Sequence, residues 1–112
     1  MKRPPTDFEQ RVYDLLERIP KGKVVTYAAM AYALDCGSAQ AIGQALKRNP
    51  NAPQVPCHRV IRTDHTLGGY AGKTAGAKLR KKRELLRGEG VEFDKDGKLE
   101  DIRRMGHFNP HS

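Results

Sequence analysis

The run Val55-Pro56-Cys57-His58-Arg59-Val60 sets a thiol between a proline and a histidine inside an otherwise apolar segment. A thiolate is the strongest nucleophile among ordinary side chains, and imidazole suits the handling of its proton near neutral pH. A free cysteine with a pKa near 8.5 is only ~3% thiolate at neutral pH, so a base beside it would speed attack. The dipeptide alone is a weak signal. By itself it also fits a small buried cysteine in a strand, with His58 and Arg59 as surface polar groups. The second cysteine is Cys36, and without a secretion signal both thiols are expected to be reduced. Neither C-x-x-C nor zinc-ligand spacing occurs, and His65, His107 and His111 are scattered, so no metal or other cofactor is expected.

The elements that must position these groups belong to a chain of 112 residues, long enough for one domain with a core. Apolar residues make up 38% and charged residues 30%, a soluble composition, and the net charge of +8 points to a polyanionic partner such as nucleic acid. No apolar run approaches the ~20 residues of a membrane helix, so no membrane partner is expected. Met1-Lys2-Arg3 runs straight into Pro4-Pro5-Thr6 without a signal-peptide pattern. The expected setting is the cytoplasm, nucleoid-associated, or the nucleus.

Residues 1–5 read as a disordered arm, 6–102 as the domain and 103–112 as a tail without pattern. Thr6-Asp7-Phe8-Glu9 is a capping box, and Phe8, Val12, Leu15, Leu16 and Ile19 recur at helical spacing up to Pro20 and Gly22. Val24-Val25 is a short extended piece. Thr26 caps a helix from Tyr27 to about Leu34, Asp35-Cys36-Gly37 is a turn, and Ser38 caps a third helix to about Arg48 with Pro50 beyond it. Two short helices joined by a glycine-containing turn read as helix-turn-helix. Val60-Ile61 is a short strand, and Leu67 to Gly72 a glycine-rich loop around Tyr70 that lets backbone approach a ligand. Thr74 caps a fourth helix, about Ala75 to Arg87, whose run of Lys78, Arg80, Lys81, Lys82, Arg83 and Arg87 reads as a solvated face. Val91 to Phe93 alternates as a strand, with Leu99 to Ile102 pairing back. The fold class is mainly α with short β strands.

Pro56-Cys57-His58-Arg59-Val60, followed by Gly68-Gly69-Tyr70, Leu85-Leu86 and Glu89-Gly90, resembles the O6-alkylguanine-DNA alkyltransferase family. Ile19-Pro20-Lys21-Gly22-Lys23-Val24, Thr26-Tyr27, Gly43 and Asn49-Pro50 match its pattern in order, so the resemblance covers roughly residues 7 to 93. It implies a winged helix-turn-helix-like active-site domain acting as a monomer on duplex DNA. Cys57 would take the alkyl group from O6 of a guanine flipped out of the helix, once per molecule. His58 would serve as its base through a water, oriented by Glu89, and Tyr27 would donate toward the departing guanine. The strand reading of Cys57-His58, in which neighbours point oppositely, is consistent with such a water. Asn49, Pro56, Val60, Gly69, Tyr70 and Ala71 would form or hold the pocket. The helix from about Ala39 to Lys47 would enter the minor groove, with Ser38, Ala39, Gln40, Gln44, Lys47 and Arg59 as DNA contacts.

Two departures from the family pattern stand out. Gln40 occupies the place where the family usually has an arginine filling the gap left by the flipped base, and it lacks that charge and stacking. The segment from Tyr70 to Glu89 is longer than usual. The alternatives are a lesion binder like the alkyltransferase-like proteins, which typically carry Trp in place of the nucleophile, and an unrelated winged-helix regulator with a buried Cys57.

Overall fold

The computed structural model describes residues 4–49, 54–67, 77–106 and 108. Helix α1, Asp7–Leu16, begins as the capping box requires: Glu9 N donates to Thr6 Oγ1 at 3.1 Å and Thr6 N to Glu9 Oε1 at 3.0 Å. Its apolar stripe, Val12, Leu15 and Leu16 with Ile19 beyond, is buried. The Tyr13 hydroxyl donates to Ala45 O at 2.9 Å, tying α1 to α3.

Strand β1, Val25–Thr26, runs directly into α2, Tyr27–Ala33, with Thr26 accepting from Ala29 N at 3.0 Å. Helix α2 ends in a Schellman motif, Cys36 N donating to Ala31 O and Asp35 N to Tyr32 O. The left-handed residue there is Asp35, at φ 52°, while Gly37 lies two positions on. Ser38 then caps α3, Ala39–Lys47. Strand β2, Val60–Ile61, pairs in parallel with β1, Val25 opposite Val60 and Thr26 opposite Ile61. A parallel pair needs a crossover, which α2 and α3 provide. Tyr27 and Arg62 therefore leave the two strands at the same end.

Helix α4, Ala77–Gly88, has no described cap, since Thr74 and Ala75 lie outside the described residues. Its basic run is not uniformly solvated. Lys82 is 0% exposed and Arg83 donates to Phe93 O at 2.7 Å and Asp94 O at 2.8 Å. The reason is spacing: Lys82 falls between Leu79 and Leu86 on the helix's inward stripe. The expected pairing of Val91–Phe93 with Leu99–Ile102 is reduced to one antiparallel bridge, Phe93 to Leu99, and Ile102 begins an exposed 3₁₀ turn, Ile102–Arg104. Val24 bridges in parallel to Met105, extending the sheet with residues that carry no pattern of their own. One core cluster joins α1, α2, α3 and Val60; a second gathers Val24, Ile61, Leu67, Leu86, Val91 and Phe93 around α4. No described helix is long and apolar enough to cross a membrane.

Candidate active site and nucleic-acid interface

Cys57 and His58 do not lie in a strand. They form a 3₁₀ turn, Cys57–Arg59, immediately before β2. The proline dictates it: Pro56 sits at φ −83°, ψ 68°, an inverse γ-turn closed by Cys57 N donating to Val55 O at 2.8 Å. The same carbonyl accepts from Asn49 Nδ2 at 2.8 Å, so Asn49 at the end of α3 holds the loop that delivers the thiol. Cys57 is 6% exposed and His58 2%.

Glu89, just past the end of α4, reaches His58: Oε2 lies 3.0 Å from Nε2. The lengthened approach expected from the sequence does not keep Glu89 from His58. Arg59 forks onto the same carboxylate, Nε to Oε1 at 2.9 Å and Nη2 to Oε2 at 2.8 Å, while Nη1 donates to Ile19 O at 2.8 Å. The expectation that Arg59 contacts DNA is thereby corrected, because its guanidinium is committed inside the protein. Burial alone would raise the Glu89 carboxyl, but its hydrogen bonds with Arg59 and His58 bring it below the ordinary value, so it is an anion that only accepts. Burial lowers the pKa of His58, against the opposing pull of Glu89, and the imidazole is neutral near pH 7. A neutral ring donating through Nε2 to Glu89 carries its lone pair on Nδ1. Nδ1 is buried and has no hydrogen-bond partner among the described residues. It is a base.

Two further groups lie within electrostatic range of the thiol. Burial raises the pKa of Tyr27, Cys57 adds to the rise and Arg62 opposes it, so the phenol keeps its proton at neutral pH. Lys82 donates to Val60 O at 2.8 Å, and burial pushes it down to about 7, with Cys57 pulling the other way. Sequence reasoning missed Lys82 by reading it with its charged neighbours. The available signal was its place on the apolar stripe.

An open cleft of about 500 Å³ is lined by Tyr27, Ala39, Gln40, Gly43, Arg62, Thr63 and Asp64. It brings together the expected Tyr27, Ala39 and Gln40 and adds Arg62, whose signal was its place directly after β2. Gln40, Gln44 and Lys47 are exposed at i, i+4, i+7 on one face of α3. Ser38 is exposed too, with its hydroxyl accepting from Ala41 N at 3.1 Å as the cap. Val60, expected at the pocket, is 0% exposed and paired with Val25, so its side chain is core. Pro56 is buried beneath the turn it shapes. Gly69, Tyr70 and Ala71 lie outside the described residues.

The family model for the 6-O-methylguanine DNA methyltransferase DNA-binding domain matches residues 7–91. A methylated-DNA–protein-cysteine methyltransferase of Methanothermobacter thermautotrophicus is 44% identical over 89 residues, 80% of this chain and 47% of that protein. The constitutive enzyme of that name from Bacillus subtilis is 50% identical over 68 residues, 60% of this chain and 41% of that protein. The chain thus spans about half the length of the curated relatives it matches. Among solved structures, Mycobacterium tuberculosis OGT in complex with DNA superposes with a TM-score of 0.69 at 41% identity, covering 77% of this chain and 51% of that one. Schizosaccharomyces pombe Atl1, in complex with damaged DNA containing O6-carboxymethylguanine, gives a TM-score of 0.77 at 29% identity, covering 95% of this chain and all of that one (100%). The helical arrangement with its small parallel sheet is the one these DNA-binding domains share.

Proposed function

The chain belongs to the 6-O-methylguanine DNA methyltransferase family, and from that premise we propose that it repairs duplex DNA by moving an alkyl group from O6 of guanine onto its own Cys57. The observation that carries the reading is the thiol's turn joined to a neutral His58 whose Nε2 is held by Glu89 at 3.0 Å. The thiol proton passes to His58 Nδ1 by way of a water, and the Lys82 ammonium favours the thiolate. Sγ attacks the alkyl carbon, the carbon–O6 bond breaks with its electron pair leaving on the guanine, and Tyr27 donates a hydrogen bond toward the purine ring as charge develops there. The product thioether has no thiolate to regenerate, so each molecule reacts once. The reaction needs the base outside the stack, where the alkyl carbon is open to in-line displacement. The exposed face of α3, with Gln40, Gln44 and Lys47, would lie in the minor groove. Gln40 would meet the orphaned base by hydrogen bonding alone.

The second reading is lesion binding without transfer. It is favoured by the match along the whole of Atl1, and Cys57 weighs against it. Incubation with duplex containing O6-methylguanine, followed by mass spectrometry of the Cys57 peptide, separates them. A stoichiometric methyl adduct supports transfer; tight binding with no adduct supports the second reading. Cys57→Ala should keep DNA binding and lose transfer, and retained transfer would remove Cys57 from its role.

A further inference from the structure

Arg104 lies beyond the segment matched by the family model, in a stretch whose sequence carries no pattern. Its backbone joins the sheet: Val24 N donates to Arg104 O at 2.9 Å, and Gly106 N donates to Val24 O at 2.7 Å. The preceding carbonyl, Arg103 O, accepts from Lys23 Nζ at 2.6 Å. The side chain then crosses to two other loops. A Cβ placed on Gly22 would stand 3.5 Å from Arg104 Nη1, and one on Gly90 would stand 3.3 Å from Nη2. Both glycines have strongly positive φ, 90° and 88°, a conformation that side-chain-bearing residues rarely adopt. The guanidinium therefore rests on two bare backbone surfaces.

Those surfaces frame Glu89. Gly90 follows it directly, and the Gly22 Cβ position is 3.3 Å from Glu89 O. The segment containing Gly22 begins near Ile19, whose carbonyl receives Arg59 Nη1 at 2.8 Å. Arg104 thus lies behind the segment that carries Glu89 and the segment whose Ile19 carbonyl holds Arg59, the arginine forked onto that carboxylate. Its charge also sits at the C-terminal end of α4, where the helix dipole favours a cation.

We infer that Arg104 is a positioning residue: it wedges the end of α4 against the 19–22 segment and so keeps the Glu89 carboxylate in register with His58 Nε2. The consequence for alkyl transfer rests on the proposed function; the geometric consequence at His58 does not. His58 is faced by Glu89, which strengthens its hold on a proton, and by Arg59 and Lys82, which weaken it. Loss of register with Glu89 moves the His58 titration to lower pH.

The test compares the full chain with Arg104→Met, which keeps the stem and removes the fork, and with Arg104→Lys, which keeps the charge. Val12→Ala in α1, at a site 0% exposed, serves as a destabilised control. Two quantities are read: the single-turnover rate of Cys57 alkylation, and the His58 titration by NMR. Arg104→Met should slow transfer about tenfold, a fraction of the ~10²–10⁴ that a positioned base contributes, at nearly unchanged DNA affinity. It should move the His58 titration downward, and Arg104→Lys should recover part of both. Unchanged rate and titration in Arg104→Met overturn the inference. So does a loss of rate matched by Val12→Ala with His58 unmoved, which marks a purely structural role. If the wild-type chain leaves Cys57 unalkylated while Arg104→Met still moves His58, the positioning role stands and the proposed reaction falls.

Discussion

Replacing Lys82 by Met should make the protein more stable and a poorer alkyl acceptor. Lys82 Nζ is fully buried, donates to Val60 O at 2.8 Å, and has its pKa pushed from 10.5 to about 7. A shift of that size corresponds to about 5 kcal/mol of unfavourable free energy for holding the ammonium inside, at 1.36 kcal/mol per pKa unit. The sign follows from linkage. Between the folded and unfolded pKa the unfolded chain binds more protons, so stability rises with pH across that window. The penalty is complete below about pH 7 and gone above about pH 10.5. From about pH 6 to about pH 9 this one group should add roughly 3 kcal/mol to wild-type stability. Lys82→Met loses the hydrogen bond to Val60 O, worth about 1 kcal/mol, along with the ammonium's further interaction, and removes the buried charge, for a net gain of roughly 1–3 kcal/mol near pH 6. Urea denaturation of both proteins across that range, taken as a difference so that other groups cancel, reads the effect directly. The stability difference should shrink as pH rises. A difference that stays flat with pH, or a Lys82→Met protein less stable at about pH 6, would falsify the account of Lys82 as a buried cation. Under the proposed function there is a second effect: without the cation the Cys57 thiolate is less favoured, and alkylation of Cys57 should slow.

Three other substitutions follow from the same geometry. Asp35→Gly should stabilise the chain by about 0.5–1 kcal/mol in thermal or chemical melts, because Asp35 holds the left-handed position of the α2 Schellman motif at φ 52°; a destabilised variant would mean that Asp35 contributes a contact outweighing the strain. Glu89→Gln should cost about 3 kcal/mol of stability by leaving Arg59 buried without its anion, slow alkyl transfer by at least tenfold and move the His58 titration downward. The Glu89 pKa is depressed, so its contribution is present at neutral pH and lost as pH falls through that depressed value; acid titration of the wild type against Glu89→Gln checks it. Lys47→Ala, on the exposed face of α3, should weaken DNA binding uniformly across sequences and reduce the slope of log affinity against log salt by about one; an unchanged salt slope removes Lys47 from the interface.

What could be read without coordinates was whatever a short stretch of chain settles with itself. The capping box at Thr6 and Glu9, the Thr26 and Ser38 caps and the apolar stripe of α1 join residues three or four apart; α2 and α3 end within a residue of expectation, while α1 stops at Leu16, three residues short of Ile19. The thiol, its histidine and its proline are contiguous, so their chemistry was open to inspection from the start. Tertiary structure decided the rest, because it turns on pairings between distant residues that no spacing records. Glu89 meets His58 and Arg59 across 31 and 30 positions, which commits Arg59 inside the protein and leaves the lone pair of a neutral His58 on Nδ1. Lys82 is buried because packing acts on the whole inward stripe of α4, charge included. And residues 104–106, silent as sequence, are ordered by the free edge that Val24 presents and by the two bare glycine surfaces on which Arg104 rests.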